Sequence, residues 1–348
     1  MENSTASNEF IFYILNGFGV TWGYLFANIA TAVLGMIIIY LNYLVIVTLI
    51  KRSDALELAD TYVVSLAGAD TLTGVLLVYN TFYNMINYQS ADECRFRNGL
   101  LILVAICSGL HLLALAIDRW LKVIRPLHYA ILFTKRKVMI ICIGIWFSSL
   151  LIGLLPTFGW KNDFEESNND SVLCTFFGTM DNDYILLVNL LMWTSVFLML
   201  LVYISIFRIA HRHARLIQIQ QKAINNRPSQ CNEISHSWKF TKTISIIVGL
   251  YVFMWMPTGV VFIIHLQGIL SDFSNTEKGT LLLYVSTPAF LNSLLDPIIY
   301  ALKIRCVRKI FREKFLCCRP KSEAEETEFT NNRVVPFRST EMTETTNF

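Results

Sequence analysis

The chain has 348 residues, of which 54% are hydrophobic and only 16% charged, with a formal net charge of +3. Soluble globular proteins carry about 25% charged residues, so the deficit excludes a surface that faces water throughout. No nucleophile constellation, Gly-rich phosphate loop or nucleic-acid motif appears, and the sequence gives neither an enzyme nor a nucleic-acid binder anything to work with.

A helix crosses ~30 Å of hydrocarbon with about 20 mainly apolar residues. Seven stretches meet that length: 24–49, 61–83, 100–121, 138–155, 184–207, 244–266 and 279–302. The sequence therefore predicts an all-α membrane protein, a seven-transmembrane helix bundle spanning 24–302. Residues 1–23 form an amino-terminal tail without a basic stretch ahead of a short apolar core, so the first helix acts as its own insertion signal. After the seventh span, 303–316 is a short amphipathic eighth helix, with Ile304, Val307, Ile310, Phe311 and Phe315 on one face and Arg and Lys opposite. Such a helix lies in the interface. Residues 317–348 are acidic, rich in Ser and Thr and poor in apolar residues, the composition of a disordered tail open to kinases.

Orientation follows from the loops. Lys51, Arg52, Arg119, Lys122, Arg125 and the run Lys135-Arg136-Lys137 fall on one side with the basic residues after helices five and seven. Asp92, Glu93, Asp163, Glu165, Glu166 and Asp170 fall on the other. Lys and Arg mark the cytoplasmic face, so a plasma-membrane protein with its amino terminus outside is expected. The sequons at Asn3 and Asn169 both lie on the outer side, as glycosylation requires. Cys94 and Cys174 face the same oxidising compartment. Cys107 and Cys142 read as free, buried thiols. Cys317 and Cys318, beside the inner interface, are palmitoylation candidates.

Asp70 and Asp296 lie at membrane depth, where a charge costs at least ~2.5 kcal/mol and marks a pathway or a switch. Other polar marks accompany them: Asn42, Ser108, Asp118-Arg119-Trp120, Trp146, Tyr203, Trp255 with Pro257, Asn292-Ser293 and Asp296-Pro297-Ile298-Ile299-Tyr300. Isolated polar residues also glue membrane helices together, at about 0.6 kcal/mol per hydrogen bond, but that account does not cover the whole ordered set.

In this order, with Leu66, Cys94, Pro126-Leu127-His128-Tyr129 and Cys174, these marks resemble those of the class A, rhodopsin-like G-protein-coupled receptors across about 300 residues, from Tyr24 to Phe315. The resemblance implies a Cys94–Cys174 disulfide. It implies that Asp118 holds Arg119 until activation, when Arg119 meets a heterotrimeric G protein with Tyr203 and Tyr300 lining the opening. Trp255, beside the helix-breaking Pro257, looks like the rotamer switch under the ligand, and Pro297 marks helix seven. Trp120 departs from the usual Tyr, and Ser237 stands where some members carry a Glu facing Arg119, so raised basal activity is expected. Ser195 replaces a common Pro. No cofactor is implied beyond a sodium ion held by Asp70, Ser108, Asn292, Ser293 and Asp296, since hard cations take oxygen ligands. Without a cation, two close acids share a proton. Arrestin and receptor kinases are the implied partners of the tail, alongside membrane lipids.

The implied pocket is lined by Leu101, Ile102, Ala105, Phe176, Phe177, Met192, Trp255, Thr258, Phe262, Ser286 and Phe290. Leu101 stands where an amine receptor needs an acid, and Phe290 where an opsin needs a lysine. The string Pro156-Thr157-Phe158-Gly159-Trp160-Lys161-Asn162 resembles the adenosine-receptor outer loop, and Phe176 matches its purine-stacking Phe. The adenine-chelating Asn is Phe262 here, however, and the Ser-His pair of helix seven is Ala289-Phe290. Asn80 and Asn98 replace the acids that grip a basic peptide in the melanocortin receptors. An apolar lining of this kind favours a small lipid-like or aromatic extracellular ligand, and the resemblance adds an adenosine-related one as the alternative. The competing class is a seven-helix ion transporter or channel built on Asp70 and Asp296, although no internal repeat or broken helix pair accompanies them.

Overall fold

A computed structural model describes residues 11–14, 18–51, 58–86, 90–125, 128, 129, 131, 133–160, 175–223, 231–303, 307, 308, 310 and 311. An antiparallel hairpin comes first, β1 (Ile11–Ile14) and β2 (Phe18–Thr21), with Ile11 opposite Thr21. Its aromatic and β-branched residues suit a strand, so part of 1–23 has a structure that a plain tail does not.

The helices follow: α1 (Trp22–Ile50), α2 (Leu58–Met85), α3 (Ala91–Ile124), α4 (Lys135–Leu154), α5 (Asn182–Ala223), α6 (Cys231–Leu266) and α7 (Asn275–Lys303). Each of the seven carries a stretch long and apolar enough to cross a membrane. Their ends have local causes. Thr134 caps α4 by accepting from Lys137 N–H. Ser274 and Glu277 cap α7 reciprocally, Glu277 Oε2 accepting from Ser274 N–H at 2.8 Å and Ser274 Oγ from Glu277 N–H at 3.3 Å, a capping box that satisfies two otherwise orphaned donors. Ser195 sits within an unbroken α5, its hydroxyl donating to Met192 O at 2.7 Å. Beyond α7, Val307, Arg308, Ile310 and Phe311 are helical. Val307 is fully buried, and Phe311 packs against the core.

Lipid tails are as apolar as Leu, so helices associate in a bilayer through close packing and polar contacts. Two glycine seams provide the closeness. A Cβ at Gly35 would lie 2.7 Å from Gly74 O, joining α1 to α2, and one at Gly153 would lie 2.7 Å from Gly99 O, joining α4 to α3. Two apolar clusters then fill the bundle. One gathers Phe176, Met180, Tyr184, Ile185, Val261 and Phe262 at the Cys94 end. The other gathers Leu49, Leu66, Leu112, Met199, Tyr251 and Tyr300 toward the Arg119 end.

Candidate functional site

A cavity of about 230 Å³ is walled by all seven helices, α4 through Ile152 alone, and by the helical turn Phe176–Thr179. This lies just below the ~300 Å³ at which most ligand pockets begin. Every pocket residue expected from the sequence lines it except Phe177. Within one helical turn, adjacent residues point about 100° apart. Phe176 faces the cavity, while Phe177 turns away and stacks on His265 with ring centroids 4.2 Å apart. Phe176 lies parallel to Phe262, at 5.3 Å and 2°, so two phenyl rings stack at the cavity wall. Thr175 starts the turn by accepting from Gly178 N–H at 3.2 Å. Tyr251 and Trp255, one turn apart on α6, also face the cavity, and Trp255 Nε1 is buried without a hydrogen-bond partner among the described residues.

The cavity runs further toward α1 and α2 than the sequence indicated, adding Tyr24, Thr31, Asn80, Asn84 and Asn98. Behind these residues Arg97 is buried, 2% exposed. Its guanidinium meets Glu93 at 3.3 Å and donates to Asn80 O at 3.2 Å and Asn84 Oδ1 at 3.1 Å. Asn84 passes the network on, donating to Asn28 Oδ1 at 3.0 Å. No acid or base is among the described residues lining the cavity.

Nearer the middle of the bundle, Asp70 is fully buried. Its Oδ1 accepts from Ser293 at 2.7 Å and from Ser108 at 3.3 Å. Its Oδ2 receives no donor among the described residues, while Asp296 lies within hydrogen-bonding reach of the Asp70 carboxyl. Two carboxyls so placed need a cation or a shared proton. An all-oxygen set with one buried, unsatisfied carboxylate oxygen fits a hard cation. Asn292 is turned onto its own helix instead, donating to Ala289 O at 2.9 Å. Asn42 ties α1 to this centre by donating to Ser293 O at 2.9 Å.

Toward the other end, Asp118 is buried, with Arg119 Nε 4.0 Å from its Oδ2. Tyr129 donates to Asp118 Oδ1. Burial, then this hydrogen bond, holds the Tyr129 hydroxyl above its usual pKa. Trp120 Nε1 donates to Ser205 at 2.8 Å, joining α3 to α5. Tyr203 packs against the core cluster that contains Tyr300. Pro257 lies inside α6 and Pro297 inside α7.

One network was not legible beforehand. His111 Nδ1 is 2.8 Å from Cys107 O, which can only accept, so Nδ1 carries the proton. His111 Nε2 then accepts from Ser65 at 2.8 Å, and Ser65 accepts from Trp146 Nε1 at 3.1 Å. This neutral chain joins α2, α3 and α4. Cys107 and Cys142 are free and buried. Cys94 is disulfide-bonded. Its expected partner Cys174 lies outside the described residues, as do Asn3, Asn169, Cys317 and Cys318.

Seven membrane-crossing helices with a cavity at one end, a pair of buried acids in the middle and an Asp-Arg latch at the other end define a helical membrane receptor. The model of the 7 transmembrane receptor (rhodopsin family) matches residues 41–300, and the chain belongs to that family of G-protein-coupled receptors. Similar proteins include octopamine receptor beta-2R of Chilo suppressalis, 26% identical over 323 residues, covering 83% of this chain and 80% of that protein. Adenosine receptor A2a of Canis lupus familiaris is 29% identical over 308 residues, covering 84% of this chain and 72% of that receptor. Adenosine receptor A2b of Gallus gallus is 28% identical over 298 residues, covering 79% and 85%.

Proposed function

We propose that this receptor binds a small, uncharged, mostly apolar extracellular ligand in the cavity and answers it by promoting nucleotide exchange on a heterotrimeric G protein. The carrying observation is the absence of any acid or base among the described lining residues. Burying an unpaired charge there would cost several kcal/mol. Octopamine is an amine, and Leu101 offers it no counter-ion. Adenosine would find Phe176, but Phe262 already stacks on that ring, and neither offers a hydrogen bond to a purine.

Pressure from the ligand on Trp255 reaches α6 beside Pro257, where the proline removes a backbone hydrogen bond and makes the helix easier to bend. Movement of α6 then frees Arg119 from Asp118 to meet the G protein, with Tyr203 and Tyr300 closing in. Asp70, Asp296, Ser108, Ser293 and Asn292 would hold a sodium ion, which neutralises the acid pair and so favours the resting arrangement. The setting is the plasma membrane, amino terminus outside, with Cys94 joined to Cys174, glycans on Asn3 and Asn169, palmitate on Cys317 and Cys318, and receptor kinases and arrestin acting on the tail.

A guanine-nucleotide exchange assay in membranes, run against purines, neutral lipids and amines, tests this reading. Neutral apolar compounds are expected to act. Activation by a cationic amine instead would overturn the ligand reading, and ligand-gated current without G protein would favour the channel.

A further inference from the structure

The polar side chains at the α1–α3 end of the cavity differ in how much of their hydrogen-bonding capacity is used. Asn84 has both ends engaged, by Arg97 and by Asn28. Asn98 donates from Nδ2 to Thr179 Oγ1 at 3.3 Å and to Cys94 Sγ at 3.6 Å. Its carbonyl Oδ1 has no partner among the described residues, although the residue is only 9% exposed and lines the cavity. Asn80 also lines the cavity, and its side-chain amide makes no hydrogen bond among the described residues; Arg97 takes its backbone carbonyl. One free acceptor and one free amide, with its own donor and acceptor, therefore face the same space. The positive charge nearby is already matched, because Arg97 meets Glu93 at 3.3 Å.

These atoms open onto the cavity, where water can reach them, and a ligand group that pairs with both reproduces the hydrogen bonds of the water it displaces. Asn80 and Asn98 can serve a group that both donates and accepts. They cannot neutralise a full charge. Further along the cavity, Leu101, Ile102, Phe262 and Phe290 offer only apolar surface. We propose that the ligand is amphipathic, with an uncharged carboxamide-type head held by Asn80 and Asn98 and an apolar body lying among Leu101, Ile102, Phe262 and Phe290. This rests on the cavity being the ligand site, and it adds the chemistry of the head and the direction in which the ligand lies.

Three probes that share one chain and differ at the head provide the test: octanamide, octanoic acid and octylamine. Each is added to the purified full-length receptor in nanodiscs, and the shift in melting temperature is followed. Octanamide is expected to stabilise the receptor at concentrations about tenfold below those needed for the acid or the amine. Asn80→Leu should remove that preference. Asn98→Asp should transfer it to the amine, a gain that a misfolded variant cannot show. If the acid or amine is preferred by the unaltered receptor, or the amide preference survives both substitutions, the head assignment is wrong while the cavity reading stands. If no probe shifts the unaltered receptor, the cavity reading itself fails and the head assignment falls with it.

Discussion

Around the cavity the polar side chains are neutral, and Asn80 and Asn98 have capacity left over, whereas between Asp70 and Asp118 they are carboxyls that draw hydroxyls from other elements. The first arrangement is complete only when something foreign enters. The second draws its donors from several helices yet leaves Asp70 Oδ2 for a cation or a shared proton, and any rearrangement must break one set of hydrogen bonds to make another. In the proposed function, ligand recognition and switching are therefore separated along the bundle, and Trp255, which faces the cavity and packs against the inner cluster, touches both regions.

Four substitutions would break or sharpen this contrast. Arg119→Ala acts only on the inner region: agonist-stimulated nucleotide exchange should fall at least about tenfold, equivalent to roughly 1.4 kcal/mol, with ligand-induced thermal stabilisation retained. If exchange persists, the latch is not the coupling element. Sodium chloride should stabilise the receptor over choline chloride, by about 2.7 kcal/mol at a hundredfold excess over Kd, and Asp70→Asn should remove that stabilisation. Unchanged sodium dependence would show that the acids share a proton or serve as helix glue. Phe262→Ala removes the ring stacked on Phe176, worth about 0.5–1.5 kcal/mol beyond its buried area. Affinity for neutral apolar ligands should drop up to about tenfold with the sodium response intact, as competition binding would reveal. Trp120→Phe removes a single interhelical hydrogen bond, worth about 0.6 kcal/mol in membranes. Basal exchange should rise about threefold, and no rise would mean that Ser205 is not part of the resting state.

Hydrophobic runs made the seven helices legible in the sequence, but charge hid some of their ends. The third span was expected to begin at residue 100, yet α3 begins at Ala91. Asp92, Glu93, Arg95 and Arg97 depress the local hydropathy, but on the helix Arg95 meets Asp92 at 3.2 Å and Arg97 meets Glu93 at 3.3 Å. Spacings of three and four residues bring those charges together, and hydropathy does not register pairing. Helix α5 likewise runs on to Ala223, past the apolar stretch that ended at Phe207, because polar helix formers continue it. Most of the pocket could be read from the residues because it sits on regular helices. Phe177 could not, because it belongs to a single turn whose direction no periodicity fixes. Asn80 and Asn98 were legible only as missing acids. Which of their atoms stay open is a property of the packing: Thr179 and Cys94 take the Asn98 amide, and Arg97 takes only the backbone carbonyl of Asn80.

The glycine seams constrain how such a machine can move. Where backbones meet with no side chain between them, neither can slide or rotate without collision, so α1 with α2, and α3 with α4, behave as welded pairs. Those pairs would be the stator: the first carries Asp70 and Asn80 on α2, the second Asn98 and Arg119 on α3. The rotor is left to α5, α6 and α7, which contain the bundle's internal prolines Pro257, Pro288 and Pro297 within α6 and α7. A bulky residue at Gly35 or Gly153 would therefore loosen the frame against which the switch works, although neither position lines the cavity or touches the latch.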